Sequence, residues 1–155
     1  MKYEKLELLI NGTWRSGSEN KSEPVYNPAT NEIIGDLPHA SKNDLKEAME
    51  SNKEAFKSWK NEPSLNRQKI IENACRILED KFDQVATNLT TEMGKPLVEA
   101  KMELSVGLDV LRWYGEEGKR AYGRLVPSRM NGLSQTVIKE PIGPCLLYTS
   151  PSPRD

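Results

Sequence analysis

The chain has 155 residues, 36% of them hydrophobic and 29% charged, with 22 basic and 23 acidic side chains and a net charge of −1. This length allows one domain, but so few hydrophobic residues can form only a thin core. The balanced charge predicts no nucleic-acid partner, and the absence of an apolar run of about 18 residues predicts no membrane partner. Two cysteines make neither a disulfide framework nor a metal site. Without a signal-peptide pattern, the chain is expected to be cytoplasmic.

The first forty residues favour short extended segments separated by turns. Residues 6–14 are predicted as a strand that meets a turn at Asn11-Gly12, a strong short-range hairpin signal. A polar loop is expected over 15–23, followed by extended segments at 24–28 and 32–37. This pattern predicts a first β-hairpin region.

Helical periodicity begins after residue 40 and continues to about residue 117. Ser41 is a predicted N-cap with Asp44 at the N3 position, a weaker form of the capping box. Pro63 ends this helix, Ser64 is predicted to cap a second helix, and that helix is expected to end near Gly94. The sequence therefore predicts three helices joined by two breaks.

The third helix is predicted to start at Pro96, which fits the first turn of a helix. Its apolar residues recur at helical spacing: Leu97, Ala100 or Met102, Leu104, Leu108, Leu111 and Tyr114. The period changes beyond Gly123, where extended segments at 124–130 and 134–140 flank Asn131-Gly132. A second β-hairpin region is therefore expected there, and it needs a partner surface because an isolated hairpin is only marginally stable in water.

The residue pattern by itself predicts no catalytic site. His39 has no serine, cysteine or carboxylate at a suggestive spacing, so a surface turn residue is favoured over a catalytic base. Glu116 and Glu117 are adjacent on a helix and do not face each other, which favours a solvated surface over an acid/base pair. Cys75 falls on or beside an apolar helix face and is interpreted as a small core residue.

Several linked motifs, in order, resemble the start of the aldehyde dehydrogenase superfamily. They are INGTW, VYNPATNEIIG, AFKSWKN, TTEMGKPLVEAKMEL, WYGEEGKRAYG and VIKEPIGP, and they extend over about residues 6–144. The stretch GEEGKRAYGRLVPSR with QTVIKEPIGP is most similar to the succinate-semialdehyde and 2-oxoglutarate-semialdehyde dehydrogenases. The resemblance implies an α/β parent fold. This chain would be its mostly helical N-terminal part, with two β-hairpin regions and no complete dinucleotide-binding sheet.

The resemblance also implies an activity, cofactor and partners for the full-length enzyme. Such an enzyme uses NAD or NADP to oxidise an aldehyde to an acid through a cysteine thioester, which a glutamate-activated water hydrolyses. It acts on an aldehyde substrate and forms a homo-oligomer. The motifs that carry the nucleophile, the base and the oxyanion-binding asparagine do not occur here, and neither Cys75 nor Cys145 lies in the nucleophile's motif. No catalytic or cofactor-binding residue is therefore assigned, and the isolated chain is expected to be inactive and to bind no cofactor.

Four positions carry over from the family individually. Met102 and Val106 match residues that line the aldehyde tunnel in some members, and plain core packing is the alternative. Glu92 matches an acidic residue that helps hold a monovalent cation, together with the backbone carbonyl of Tyr26. For Glu92, an ordinary charge at a helix end is the alternative.

Three parts of the chain are distinguished by the resemblance. Residues 1–122 would flank the cofactor-binding domain, and residues 123–144 would begin the oligomerisation hairpin. Residues 145–155, CLLYTSPSPRD, look like a translated sequencing adapter and are interpreted as a non-native tail, with a natural disordered C-terminus as the alternative. A different functional class, a non-enzymatic helical interaction module whose hairpin docks a partner, is the competing hypothesis.

Overall fold

Short antiparallel hairpins and four helices make up residues 5–147, the part of the chain that the computed structural model describes. The strands are β1 (Leu8–Ile10), β2 (Thr13–Arg15), β3 (Ser22–Tyr26), β4 (Ile33–Pro38), β5 (Arg124–Pro127) and β6 (Ser134–Val137). The helices are α1 (Lys42–Trp59), α2 (Ser64–Asp80), α3 (Phe82–Met93) and α4 (Leu97–Glu117), and a 3-10 turn, Gly118–Arg120, follows α4. Of the predicted tail, residues 148–155 lie outside the described range.

The strands pair only within hairpins, as β1–β2, β3–β4 and β5–β6. Asn11 and Gly12 have φ values of 50° and 75°, the left-handed pair that a tight two-residue hairpin turn requires. Both predicted hairpin regions are confirmed, and the N-terminal one contains two hairpins. The loop predicted over residues 15–23 is shorter in the structure, because β2 ends at Arg15 and β3 begins at Ser22.

A buried carboxylate joins the N-terminal segment to the start of α1. Ser41 and Asp44 form the predicted capping box: the Asp44 amide donates to Ser41 Oγ at 3.1 Å, and the Ser41 amide donates to Asp44 Oδ2 at 2.8 Å. The Ser18 amide and hydroxyl donate to the same oxygen at 2.9 and 3.0 Å, and Arg15 Nη2 lies 3.3 Å from Oδ1. The hydrogen bonds with Ser18 and Ser41, those from the two amides first, hold the pKa of Asp44 well below its ordinary value.

Asp44→Asn is expected to lower the thermal midpoint and to remove part of its acid dependence. Because the folded pKa of Asp44 lies below the unfolded value of about 3.9, its contribution is complete above that value and is lost as pH falls below it. Circular dichroism melts between about pH 6 and pH 3 measure the effect. Glu47→Gln is the control, since Glu47 is exposed and forms an ion pair with the same Arg15. An Asn variant with unchanged acid dependence would contradict this role.

The helical region differs from prediction in two places. The expected single helix over 64–93 is wrong: it divides at Lys81, whose φ of −106° and ψ of 12° end α2 before α3 begins. No proline or glycine marks that break, and the apolar periodicity continues across it, so the sequence pattern predicted one continuous helix. Ser64 was also wrongly predicted as a cap. Pro63 is the N-cap and makes no side-chain capping hydrogen bond, and Ser64 is the first residue of α2.

The buried residues between the helices are mostly small. α4 packs against both α2 and α3, and the buried hydrophobic residues of these three helices are Cys75, Ala86, Ala100 and Leu108. At Gly115, an added Cβ would lie 3.3 Å from Ile71 Cγ2, so α4 approaches α2 closely there. Among the residues predicted for the apolar face of α4, Leu108 is buried, whereas Leu111 and Tyr114 are exposed.

Gly94 ends α3 as predicted and joins it to the β3–β4 hairpin. Its φ is 73°, in the left-handed region, and its amide donates to the Thr90 carbonyl at 2.8 Å. A Cβ at this position would lie 2.8 Å from Cγ of Pro28, in the turn between β3 and β4. The absence of a side chain therefore satisfies both the backbone conformation and the close contact.

Gly94→Ala is expected to destabilise the chain by about 1–2 kcal/mol from the left-handed conformation alone, with the Pro28 contact adding to the loss. Urea unfolding measures the change. Gly107→Ala is the matched control, because Gly107 lies inside α4 with open space around it. There alanine should stabilise the helix by up to about 1 kcal/mol. Equal effects at the two positions would contradict this interpretation.

Candidate functional site

α4 carries apolar side chains on two opposite faces. One face packs inward through Ala100, Leu108 and Gly115. On the other, Val98, Met102, Val106 and Trp113 recur at helical spacing and are 73%, 64%, 56% and 67% exposed. We call these four residues the outer face of α4. The structure therefore places Met102 and Val106 together on an exposed surface of α4.

The outer face leads into a groove at the C-terminal end of α4. The groove has a volume of about 570 Å³ and is lined by Asp109, Arg112, Trp113, Glu116, Glu117 and Arg120. Most of its charges are already paired: Arg112 with Glu72 and Glu79, Arg120 with Glu117, and Lys119 with Glu116. Asp109 lies three residues after Val106 and four before Trp113, so the outer face itself presents a carboxylate and apolar groups.

Val98 and Trp113 were not among the residues predicted for this surface. Val98 lies one helical turn before Met102, and Trp113 lies two turns after Val106. Helical spacing from the predicted pair could therefore have found both. The sequence could not show which face of α4 is open, since both faces are apolar.

The predicted cation ligands lie in neighbouring segments. Tyr26 ends β3, beside a register irregularity in the β3–β4 ladder, and Glu92 is the penultimate residue of α3 and is exposed. The contact between Gly94 and Pro28, each two residues from one of them, brings the end of α3 against the β3–β4 turn. No group of three or more His, Cys, Asp or Glu side chains within residues 5–147 is arranged to hold a metal ion.

Cys75, Cys145 and His39 lie apart from the outer face. Cys75 is fully buried, in agreement with its interpretation as a core residue, and Cys145 is exposed. His39 is exposed, with Nε2 3.5 Å from Glu23 Oε2. Among the helices of residues 5–147, none combines the length and apolar character that a bilayer span needs.

Comparison with known proteins identifies the family. The model of the aldehyde dehydrogenase family matches residues 14–150, which is most of the chain. The chain therefore belongs to the aldehyde dehydrogenase family, as its motifs predicted.

Similar proteins include dehydrogenases with different substrates in their names. A 4-(hydroxymethyl)benzenesulfonate dehydrogenase of Comamonas testosteroni is 38% identical over 143 residues, covering 92% of this chain and 30% of the relative. An NADP-linked succinate-semialdehyde dehydrogenase of Escherichia coli is 33% identical over 137 residues, covering 88% and 28%. The crystal structure of a succinate-semialdehyde dehydrogenase from Burkholderia pseudomallei superposes with a TM-score of 0.87 at 32% identity, covering 90% and 29%. The chain thus spans about 30% of the length of these relatives.

Polar substitution on the outer face is expected to leave stability nearly unchanged. Val106→Thr should change the free energy of unfolding by no more than about 0.5 kcal/mol, because Val106 contributes little to the core. Leu108→Ala, two residues away and only 4% exposed, should cost about 2–5 kcal/mol. Urea unfolding of both variants measures the difference. A large loss for Val106→Thr would mean that this face is already covered.

Proposed function

We propose that this chain is part of an NAD(P)-dependent aldehyde dehydrogenase that oxidises a semialdehyde to a dicarboxylic acid through a cysteine thioester. The observation that carries the proposal is the family match over residues 14–150. Succinate-semialdehyde and glutarate-semialdehyde dehydrogenases among the similar proteins support the substrate class. The fold similarity supports the same assignment, because the semialdehyde dehydrogenase of B. pseudomallei superposes over 90% of the chain.

Residues 5–147 do not fit a nicotinamide dinucleotide. Such cofactors bind at the carboxyl ends of parallel strands, next to a glycine-rich turn and a helix N-terminus. The three sheets here are antiparallel hairpins, and the sequence has no G-x-G-x-x-G motif. Cys75 is buried and cannot reach a substrate. The redox chemistry is therefore assigned to parts of a longer enzyme, and the 155-residue chain is proposed to be inactive alone.

Within that enzyme, Met102 and Val106 are proposed to line the passage through which the aldehyde enters. Their exposure on the outer face supports this role, because an apolar wall accepts the hydrocarbon part of a substrate. The face presents Asp109, while the α4 cations Lys101 and Arg112 pair with carboxylates of α3 and α2. A semialdehyde's own carboxylate would thus be recognised by cationic groups elsewhere.

The remaining assignments concern the enzyme as a whole. Residues 1–122 are proposed to flank the cofactor-binding domain, and residues 123–144 to begin an oligomerisation hairpin in a cytoplasmic homo-oligomer. All four residues of β5 and all four of β6 are exposed, and a two-stranded sheet leaves both outer edges available for pairing. Residues 145–155 are proposed to be a non-native tail.

Purified chain 1–155 is expected to form no reduced nicotinamide from succinate semialdehyde with either NAD or NADP. The reason is that Cys75 is buried, that exposed Cys145 lies outside the family's nucleophile motif, and that residues 5–147 offer no dinucleotide site, so a longer incubation should not reveal activity. Absorbance of the reduced cofactor measures the reaction, and heat-treated chain is the control. Cofactor reduction that scales with the concentration of folded chain would contradict the proposal.

Glu92 and the Tyr26 carbonyl are further proposed to hold a monovalent cation. Both groups offer the hard oxygen ligands that such ions prefer, and the Gly94–Pro28 contact supports their proximity. Replacing choline chloride by potassium or sodium chloride at constant ionic strength should raise the thermal midpoint of the chain. Glu92→Gln should abolish that difference, whereas Glu99→Gln, an exposed carboxylate in the first turn of α4, should preserve it. Identical responses in the two variants would exclude Glu92 as a ligand.

A further inference from the structure

Arg112 connects α4 to α2 through a bidentate ion pair with Glu79. Its Nη1 and Nη2 atoms donate to the two carboxylate oxygens of Glu79 at 2.8 and 2.7 Å. Its Nε atom lies 3.4 Å from Glu72 Oε2, two helical turns earlier on α2. The hydrogen bonds from Arg112 lower the pKa of Glu79, and those from Glu79 raise the pKa of Arg112. A planar guanidinium that forms bidentate hydrogen bonds with a carboxylate has a defined orientation as well as a favourable charge interaction.

The other ion pairs of α4 constrain its rotation less. Lys101 Nζ lies 2.7 Å from Asp83 Oδ1 on α3, but an ammonium group is a point charge on a flexible stem. Arg120 pairs with Glu117 and Lys119 with Glu116, each three residues away, so neither pair connects α4 to another helix. Lys95, which pairs with Glu103, lies in the short turn before α4 and likewise belongs to no other helix. Close packing near Arg112 adds to its effect, because Gly115 lets α4 approach Ile71 of α2.

We propose that Arg112 is a positioning residue that fixes the rotation of α4 about its axis and so the direction in which the outer face points. Arg112 lies between Val106 and Trp113 in the chain, and its side chain is turned toward α2 rather than onto the outer face. That this orientation serves aldehyde entry rests on the proposed function. That Arg112 fixes the orientation of α4 is independent of that function.

The orientation can be measured in the 155-residue chain by spin labelling. Nitroxide labels at Lys69→Cys on α2 and Val106→Cys on α4, in a Cys145→Ser background, report the distance between the two helices by pulsed electron paramagnetic resonance. Cys75 is buried and should remain unlabelled. A single narrow distance distribution is expected, and Arg112→Gln should at least double its width. Arg112→Lys should also widen the distance distribution, because lysine keeps the charge but cannot form the bidentate hydrogen bonds of a guanidinium group.

Three controls separate positioning from general destabilisation. Arg120→Gln removes a matched arginine and should leave the width unchanged. Ile10→Val trims a buried side chain in β1, away from the Arg112 contacts, and should lower the thermal midpoint without widening the distribution. If Arg112→Gln does not fold, Glu79→Gln tests the same contact from α2 and should widen the distribution more than Glu72→Gln does.

An unchanged width of the distance distribution in Arg112→Gln would overturn the proposal; if that variant does not fold, the same holds for Glu79→Gln. Equal widening by Arg120→Gln or Ile10→Val would also overturn it. Because the measurement requires no catalysis, its failure would leave the proposed dehydrogenase function untouched. Conversely, a longer protein that contains this chain and lacks aldehyde oxidation would refute the proposed function without affecting the distance result.

Discussion

The close packing of α4 on α2 and α3 through small side chains is the constraint on which the rest of the structure depends. Cys75, Ala86 and Ala100 are fully buried, and few larger apolar groups are. Small residues allow helices to approach closely but remove little apolar area from water. Many large apolar side chains of residues 5–147 therefore remain exposed, among them Trp14, Val98 and Tyr114.

This constraint gives α4 its two faces and connects the fold to the proposed function. The inward face of α4 is anchored by Ala100 and Leu108, and Arg112 joins it to α2, so the opposite face is left open. Exposed apolar surface on this scale is typical of interaction sites and binding grooves. In an enzyme about three times as long, the outer face of α4 and the β5–β6 hairpin are the surfaces proposed to meet substrate and partner subunit.

Local signals in the sequence predicted much of the fold. The features that sequence reasoning missed either lack a local signal or depend on contacts between residues far apart in the chain. Asn11-Gly12, the Ser41–Asp44 box and Gly94 each specify a turn, cap or helix end through their own backbone preferences, and the structure confirms all three. The break at Lys81 has no such residue. Ser18 and Arg15 reach Asp44 across at least 26 positions, and Arg112 reaches Glu79 across 33, so no short-range pattern could reveal either connection. The family motifs selected Met102 and Val106, but only the packing of α4 showed that they lie on an open face.

Reading the genomic DNA downstream of the codon for Pro144 tests most directly whether this chain is part of a catalytic aldehyde dehydrogenase. The prediction is an uninterrupted reading frame with two motifs that the family resemblance implies. A P-W-N-F-P-like motif, with the oxyanion-binding asparagine, would come first, and a G-Q-x-C-like motif, with the nucleophilic cysteine, would follow later. A natural stop codon shortly after Pro144, or a frame that continues without either motif, would contradict it and favour a non-enzymatic interaction module.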